Sequence, residues 1–325
     1  MVVEYANHLQ SKGHSATILT SVFDSLFSVN AGIEISLRKS KLSTVLKALS
    51  MKRDVDIIVA DIIVMTFFLS FRNRGKLLYF AQDYDESYYK NSAMRALIRA
   101  VYFYCLRILK IPVIAVSEEL GKTLRGRFKA DVTVVPNGVD TSAFYPDRDG
   151  NYLSLREGKS VILIFARSDY RKGFDIAANV LSRFKEEIEN KLISVWAVGE
   201  DLGTPFPVRR FGFVPPETLR KILSCSDILL YPSRHEGLPL FVLEAMACGC
   251  IVMTTEAAKI VSDNLNGIIC PIDDRDCFYG KLHDFIHNPP SRYALIKNAF
   301  ETASRFSIDA SRSHFERSLL RLLHG

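Results

Sequence analysis

Four side chains in the second half of this 325-residue chain have types and spacings suited to chemistry. Arg167 and Lys172 stand close together in "ARSDYRKGFD" (166–175), just before Gly173 and a helical pattern. Cations beside a helix N-terminus, where backbone N–H groups lack intrahelical acceptors, make an anion site. Arg grips an anion as a planar fork and Lys as a point charge. Glu236 and Glu244 bracket a mostly apolar run in "RHEGLPLFVLEAMACG" (234–249). A carboxylate only accepts hydrogen bonds, and sugar hydroxyls donate them. Taken singly, these residues have plainer readings: loop cations, a solvated loop acid, and helix N-terminal electrostatics for Glu244. Taken together they describe a site for a nucleotide diphosphate joined to a sugar.

The elements that must position them are legible as apolar runs of strand length. These are 14–20, 56–62, 76–83, 111–117 and 131–137, then 160–167, 192–199, 227–233 and 250–256. Helical patterns lie between them, including Tyr89–Leu109, Gly173–Glu189 and Pro216–Ser224. Continuous rather than alternating apolar runs predict strands buried on both faces, in parallel sheets covered by helices. Ligands of such sheets bind beyond the carboxyl ends of the strands. Arg167 follows the run 160–166, and Glu236 follows 227–233. The "GLPL" loop then leads into "FVLEAMACG", a helix ended by Gly249. Gly237 admits a close ligand, and Pro239 suits a helix start.

The turn-rich stretch 136–160 predicts a boundary near residue 150. The expectation is an N-terminal domain over 1–150, a second over 151–307, and a closing helix over 308–325. The first domain begins with a helix and then a strand ("VVEYANHLQSKGHSATILT"). The strand and Gly-rich turn that normally open a doubly wound domain are expected to be missing.

Composition is that of a globular chain, 48% hydrophobic with net charge +6. Residues 1–150 carry 20 Lys and Arg against 15 Asp and Glu, and the remainder 22 against 21. The basic excess is therefore in the first half, as a solvated surface or as a contact with an anionic partner. Six cysteines are scattered without a CxxC pair and read as buried reduced thiols, fitting a cytoplasmic protein. No signal peptide is evident, and the apolar run Ile57–Phe71 is too short to span a bilayer.

The second half resembles the retaining GT-B-fold glycosyltransferases of family 4. The resemblance rests on "VVPNGVDTSAFYP" (134–146), the Arg…Lys-Gly stretch, "NGIICPIDD" (266–274), and above all the E-x7-E element between "YPS" and "AMACG". "EYANHLQSKGHSATILT" (4–20) resembles the family's first helix and second strand. The implied fold is α/β, with two Rossmann-like domains facing across a cleft. In that likeness Arg167 and Lys172 hold the donor diphosphate, Glu236 contacts the donor sugar, and Glu244 holds the ribose. Backbone groups of Gly237, Leu238, Pro239, Leu240, Phe241 and Val242 run along sugar and diphosphate. The backbone around Phe213 and Val214 reads the nucleobase, and the closing helix crosses back onto the first domain. The implied reaction is retaining transfer of a hexose from a UDP-sugar, or second a GDP-sugar, to a glycan or glycolipid in polysaccharide synthesis. No enzyme nucleophile, cofactor, metal or nucleic acid is expected.

On the acceptor side Gln82, Asp83 and Glu86 are the candidates, in "AQDYDES" where many members of the family carry a His. "DYD" (83–85) also matches the Asp-x-Asp metal motif of the other glycosyltransferase fold, which the GT-B family does not use. A glycoside hydrolase needs two carboxyls across one bond, whereas these two lie along one donor. Two rivals remain: a non-catalytic sugar-nucleotide binding protein and a GT-B-fold epimerase. Two basic stretches, 89–110 and 37–53, suit contact with anionic lipid or a basic solvent face.

Overall fold

The computed structural model describes residues 1–20, 29–35, 41–50, 53–156, 160–287 and 292–324. Of the basic stretch 37–53, residues 37–40, 51 and 52 lie outside the described residues. The chain divides into two compact units. Unit 1 comprises Met1–Asn137 and Asp309–Gly325, and unit 2 comprises Gly138–Ile308. The division falls at Asn137/Gly138, within the turn-rich stretch and before residue 150.

Unit 1 runs α1 (Val2–Ser11), β1 (Thr17–Thr20), β2 (Gly32–Ile35), α2 (Lys41–Ser50), β3 (Ile58–Ala60), α3 (Ile63–Asn73), β4 (Leu77–Ala81), α4 (Ser92–Tyr102), β5 (Val113–Ala115), α5 (Glu118–Phe128) and β6 (Val132–Val134). Strands β1 and β2 pair with each other, and β3-β4-β5-β6 form a second sheet, all parallel. β4 is buried at every position, as a strand covered on both faces must be.

Unit 2 runs α6 (Gly150–Ser154), β7 (Ser160–Ala166), α7 (Phe174–Ser182), α8 (Lys185–Glu189), β8 (Ile193–Gly199), β9 (Arg209–Gly212), α9 (Pro216–Ser224), β10 (Ile228–Tyr231), α10 (Leu240–Ala247), β11 (Ile251–Thr255), β12 (Ile268–Cys270), α11 (Arg275–His287) and α12 (Arg292–Arg305). Its six parallel strands are ordered β12-β11-β10-β7-β8-β9. Successive residues of β7 serve opposite faces. Val161 and Leu163 pack with Trp196, Leu243 and Met246, while Ile162 and Ile164 pack with Phe184, Phe278 and Phe285. The chain leaves β7 toward β8 on one flank and returns to β10 on the other. The strand order therefore reverses beside β7, the place where open α/β sheets bind ligands.

The last helix, α13 (Ile308–His324), belongs from Asp309 onward to unit 1. Tyr5 of α1 stacks on Phe315 at 4.1 Å between ring centroids, and its hydroxyl meets Ser311 Oγ at 2.7 Å. Ser311 donates in turn to the Pro136 carbonyl at 2.6 Å, and Arg312 pairs with Glu4.

Two helical expectations change. The pattern Gly173–Glu189 is two helices, because Phe184 turns into the core, where it is fully buried. The pattern Tyr89–Leu109 starts at Ser92, where Asn91 caps the Ala93 and Met94 N–H groups, and passes into a π-helical turn over Phe103–Ile108.

Candidate active site

The carboxyl ends of β7, β8 and β10 bring the unit 2 candidates together. After β7 the chain makes a 3-10 turn, Tyr170–Lys172, and reaches Gly173 at φ +70°. A Cβ on Gly173 would lie 1.9 Å from the Pro232 carbonyl oxygen, so only glycine allows the loops after β7 and β10 to touch. Further bonds stitch those loops. The Arg234 N–H donates to the Arg171 carbonyl at 2.7 Å, and Ser233 Oγ lies 3.0 Å from the same carbonyl. The Arg234 side chain, 9% exposed, binds both Asp175 oxygens and Asp273, and covers the Tyr170 ring. Hydrogen bonding to Asp175 leads the causes that raise the Arg234 pKa. From β11, Thr254 donates to the Tyr231 carbonyl at 2.7 Å, and Thr255 donates to the Ser233 carbonyl.

This frame holds Lys172 against Glu236. Lys172 Nζ lies 2.9 and 3.0 Å from the two carboxylate oxygens. Oε1 of Glu236 also accepts from Ser233 Oγ at 2.6 Å and Tyr231 OH at 2.8 Å. Burial, then the Glu236 charge, push the Tyr231 phenol well above its ordinary range, so it stays a donor. The carboxylate is 5% exposed and Lys172 22%. Lys172 keeps a third N–H, and Oε2 keeps a lone pair, for a ligand.

Arg167 follows β7 and pairs through Nε with Glu200, which follows β8, at 3.2 Å. Glu200 also accepts the Ser168 N–H at 3.0 Å, and hydrogen bonding to Ser168, then the Arg167 charge, hold its carboxyl below the usual range. The Arg167 guanidinium lies 5.4 Å from the centroid of Phe213, a ring 54% exposed just beyond β9. Val214, next to it, is half-buried. Glu200 and Arg234 are the residues sequence reasoning missed. A carboxylate directly after the strand-ending Gly199 was the available signal for Glu200. A Cβ on Gly199 would lie 2.3 Å from the Ala166 carbonyl oxygen.

Helix α10 begins at Leu240, with Pro239 at its N-cap rather than in its first turn. Proline caps nothing, and among the described residues the N–H groups of Leu240 and Phe241 find no acceptor. Gly237 and Leu238 form the half-exposed loop before it, and Val242 is buried. Phe241 stacks on Phe165 of β7 at 4.7 Å, which roots the helix in the core. Glu244 lies one turn in. Its carboxyl makes no hydrogen bond among the described residues, and burial pushes it up to about 7.

In unit 1, Gln82 follows β4 and donates to Asp61 at 3.4 Å, and the Asp83 carboxylate accepts the Tyr84 N–H at 2.8 Å. Glu86 corrects the expectation of an open acceptor-side acid. It is 1% exposed and is claimed by Arg95, Arg99, Arg127 and the Tyr84 hydroxyl. The Arg99 guanidinium leads in holding its carboxyl at about 2. Nor do the two acids of "DYD" present a pair to a ligand. Asp85 is 4% exposed and turns inward to accept the Ile63 N–H of α3 at 2.8 Å and the Tyr79 hydroxyl at 3.3 Å.

Two Rossmann-like units built on parallel sheets, one carrying cations, acids and a free helix N-terminus at its switch point, define the GT-B class. The model of glycosyl transferases group 1 matches residues 149–302, and that of glycosyltransferase family 4 matches residues 1–143. The chain belongs to the group 1 glycosyltransferases of family 4. It is 26% identical over 231 residues to a D-inositol 3-phosphate glycosyltransferase of Corynebacterium kroppenstedtii, across 62% of this chain and 51% of that one. It is 29% identical over 177 residues to a UDP-Gal:alpha-D-GlcNAc-diphosphoundecaprenol alpha-1,3-galactosyltransferase of Escherichia coli, across 46% and 44%. The chain thus spans about half the length of the curated relatives it matches. In fold it is similar to Anabaena HepE solved with UDP-glucose, with a TM-score of 0.78 at 17% identity over 98% of this chain and 95% of that one. Among the described residues no helix is long and apolar enough to cross a membrane.

Proposed function

We propose that the chain transfers a hexose, with retention, from a UDP-sugar to a glycan or lipid-linked glycan, in polysaccharide assembly on the cytoplasmic side of a membrane. The observation that carries this reading is the placement of Arg167, Lys172, Glu236 and the α10 N-terminus on one sheet edge, beside the strand-order reversal. Charge grows on the diphosphate as the glycosidic bond breaks. Lys172, Arg167 and the Leu240 and Phe241 N–H groups are fixed where that charge develops, and fixed donors act most strongly on charge absent from the ground state. Glu236 keeps Lys172 in place and offers Oε2 to a sugar hydroxyl. Glu244 serves the ribose hydroxyls, and the exposed Phe213 ring lies along the base. The acceptor attacks from the same face as the leaving diphosphate, whose oxygen takes the acceptor proton, so no protein nucleophile is needed. Gln82 and Asp83 of unit 1 are the acceptor-side residues of this reading. UDP is favoured over GDP because the E. coli relative's name and the HepE structure both carry UDP.

The test is a thermal-shift comparison of UDP with GDP, then hydrolysis and transfer assays on the matching sugar donors, with product anomers assigned by NMR. The reading expects UDP to raise the melting temperature, and an α-product from an α-donor. Lys172→Ala or Glu236→Ala activity equal to wild type would remove the site assignment. Nucleotide binding without turnover would leave a binding protein, and a changed sugar without transfer an epimerase.

A further inference from the structure

From Lys90 to Lys110 the chain carries five cations and no acid. Helix α4 and the π-helical turn after it bury only Ile98, Tyr102, Cys105 and Leu106. Met94, Leu97, Phe103, Tyr104 and Ile108 are exposed, Leu97, Phe103 and Ile108 by half. The helical spacing of Leu97, Tyr104 and Ile108 puts them along one stripe. The stripe continues onto α3. Phe67 touches Tyr104 at 5.5 Å between ring centroids and the exposed Phe71 at 5.2 Å. Soluble surfaces seldom keep so large an apolar patch uncovered.

Its border is cationic. Arg95, Arg99 and Arg127 are each about half-exposed and share the single carboxylate of Glu86, which leaves an excess of two positive charges. Arg99 and Arg127 line a groove of about 720 Å³ whose other walls include Phe103 and Phe128. At the C-terminal end of α3, Arg53, Arg72, Arg74 and Lys76 line a second recess with Asp54, Arg53 being paired with Glu34. Aromatic and aliphatic tips ringed by arginines suit the boundary between lipid headgroups and acyl chains. A second copy fits poorly, because a two-fold contact would set these cations against themselves.

We infer that this face of unit 1 docks on an anionic lipid bilayer, with Leu97, Phe103, Tyr104 and Ile108 entering the interface and the surrounding arginines meeting lipid phosphates. The inference rests on unit 1 alone and not on the transfer reaction.

The test is flotation of the full chain with vesicles of phosphatidylcholine, alone or mixed with phosphatidylglycerol. No activity is read, so its failure leaves the donor site of unit 2 untouched. Binding is expected to the mixed vesicles only, and to weaken as salt rises. Arg107 is exposed beside Ile108 in the π-helical turn. Each cation near such a surface contributes about a fivefold factor, so Arg107→Glu should lower partitioning by about tenfold or more. Leu97→Ser/Phe103→Ser/Ile108→Ser should abolish it while leaving the melting temperature unchanged. Equal binding to both vesicles, binding to neither, or wild-type binding by these variants would overturn the inference. So would a dimer, seen by sedimentation velocity, that the triple variant dissolves.

Discussion

Lys172 and Glu236, 64 positions apart in sequence, are bonded through both carboxylate oxygens and share one ledge at the sheet edge. Neither has such a partner nearby in sequence. The pair acts as a unit, so their losses should not add. Lys172→Met and Glu236→Gln should each lower kcat/KM by about 100-fold or more. The double variant should be little worse than the poorer single one. Fully multiplicative losses in a double-mutant cycle on donor hydrolysis would show two independent residues.

Glu244 should impose a pH dependence. Burial raises its carboxyl from 4.5 to about 7. Because the folded value is the higher one, its stability contribution is complete below about pH 4.5 and fades as pH rises through 7, on the order of 3 kcal/mol. Glu244→Gln should flatten the melting-temperature profile across that window. Hydroxyls of a bound nucleotide prefer the ionised form, so wild-type UDP affinity should climb between about pH 6 and 8. A climb of the same size in Glu244→Gln would assign it to another group.

Gly173→Ala should destabilise unit 2 by at least about 2 kcal/mol, from the contact with the Pro232 carbonyl and the positive φ. Gly150→Ala is the matched control. Its Cβ meets nothing within 4 Å, and its effect should stay within about 0.5 kcal/mol. Denaturant titration of both variants reads the difference, and equal midpoints would refute it.

Asp85 and Glu86 are neighbours with opposite signs. Burial lifts Asp85 to about 6, so its contribution is lost as pH rises through 6. Glu86, held at about 2, contributes above 4.5 and loses that as pH falls through 2. Asp85→Asn should therefore remove a fall in melting temperature between about pH 4 and 7, since Asn still accepts the Ile63 N–H. Glu86→Gln should leave that interval unchanged. The same profile in all three proteins would contradict the assignment.

The nine apolar runs marked in the sequence each contain a strand; β4, β5, β10 and β11 are covered on both faces, as a continuous apolar run implies, whereas β1 has no fully buried residue and β3 only one. β9, "RRFG", was not legible: an edge strand with mostly exposed side chains lacks that signature. β2 and β12 lie outside the marked runs, and helix α8 starts where a buried phenylalanine, not a glycine or proline, breaks the pattern. The cations and acids of the site were legible as types at strand ends. Their partners were not, since Glu200 and Arg234 reach across strands that only the sheet order makes neighbours. Glu86 misled for the complementary reason. A loop acid after a strand reads as exposed until three arginines from two helices are placed around it.

The split course of unit 1 bears on synthesis. Ser311 and Phe315, which close over Tyr5 and Pro136, are made after every strand of unit 2. Unit 2 is one uninterrupted stretch and can complete its sheet while the chain is still attached to the ribosome. Unit 1 must wait with the Tyr5 ring uncovered until α13 emerges. A stop codon a few residues before Ser311 would therefore injure the distant unit 1 more than the unit adjoining the cut.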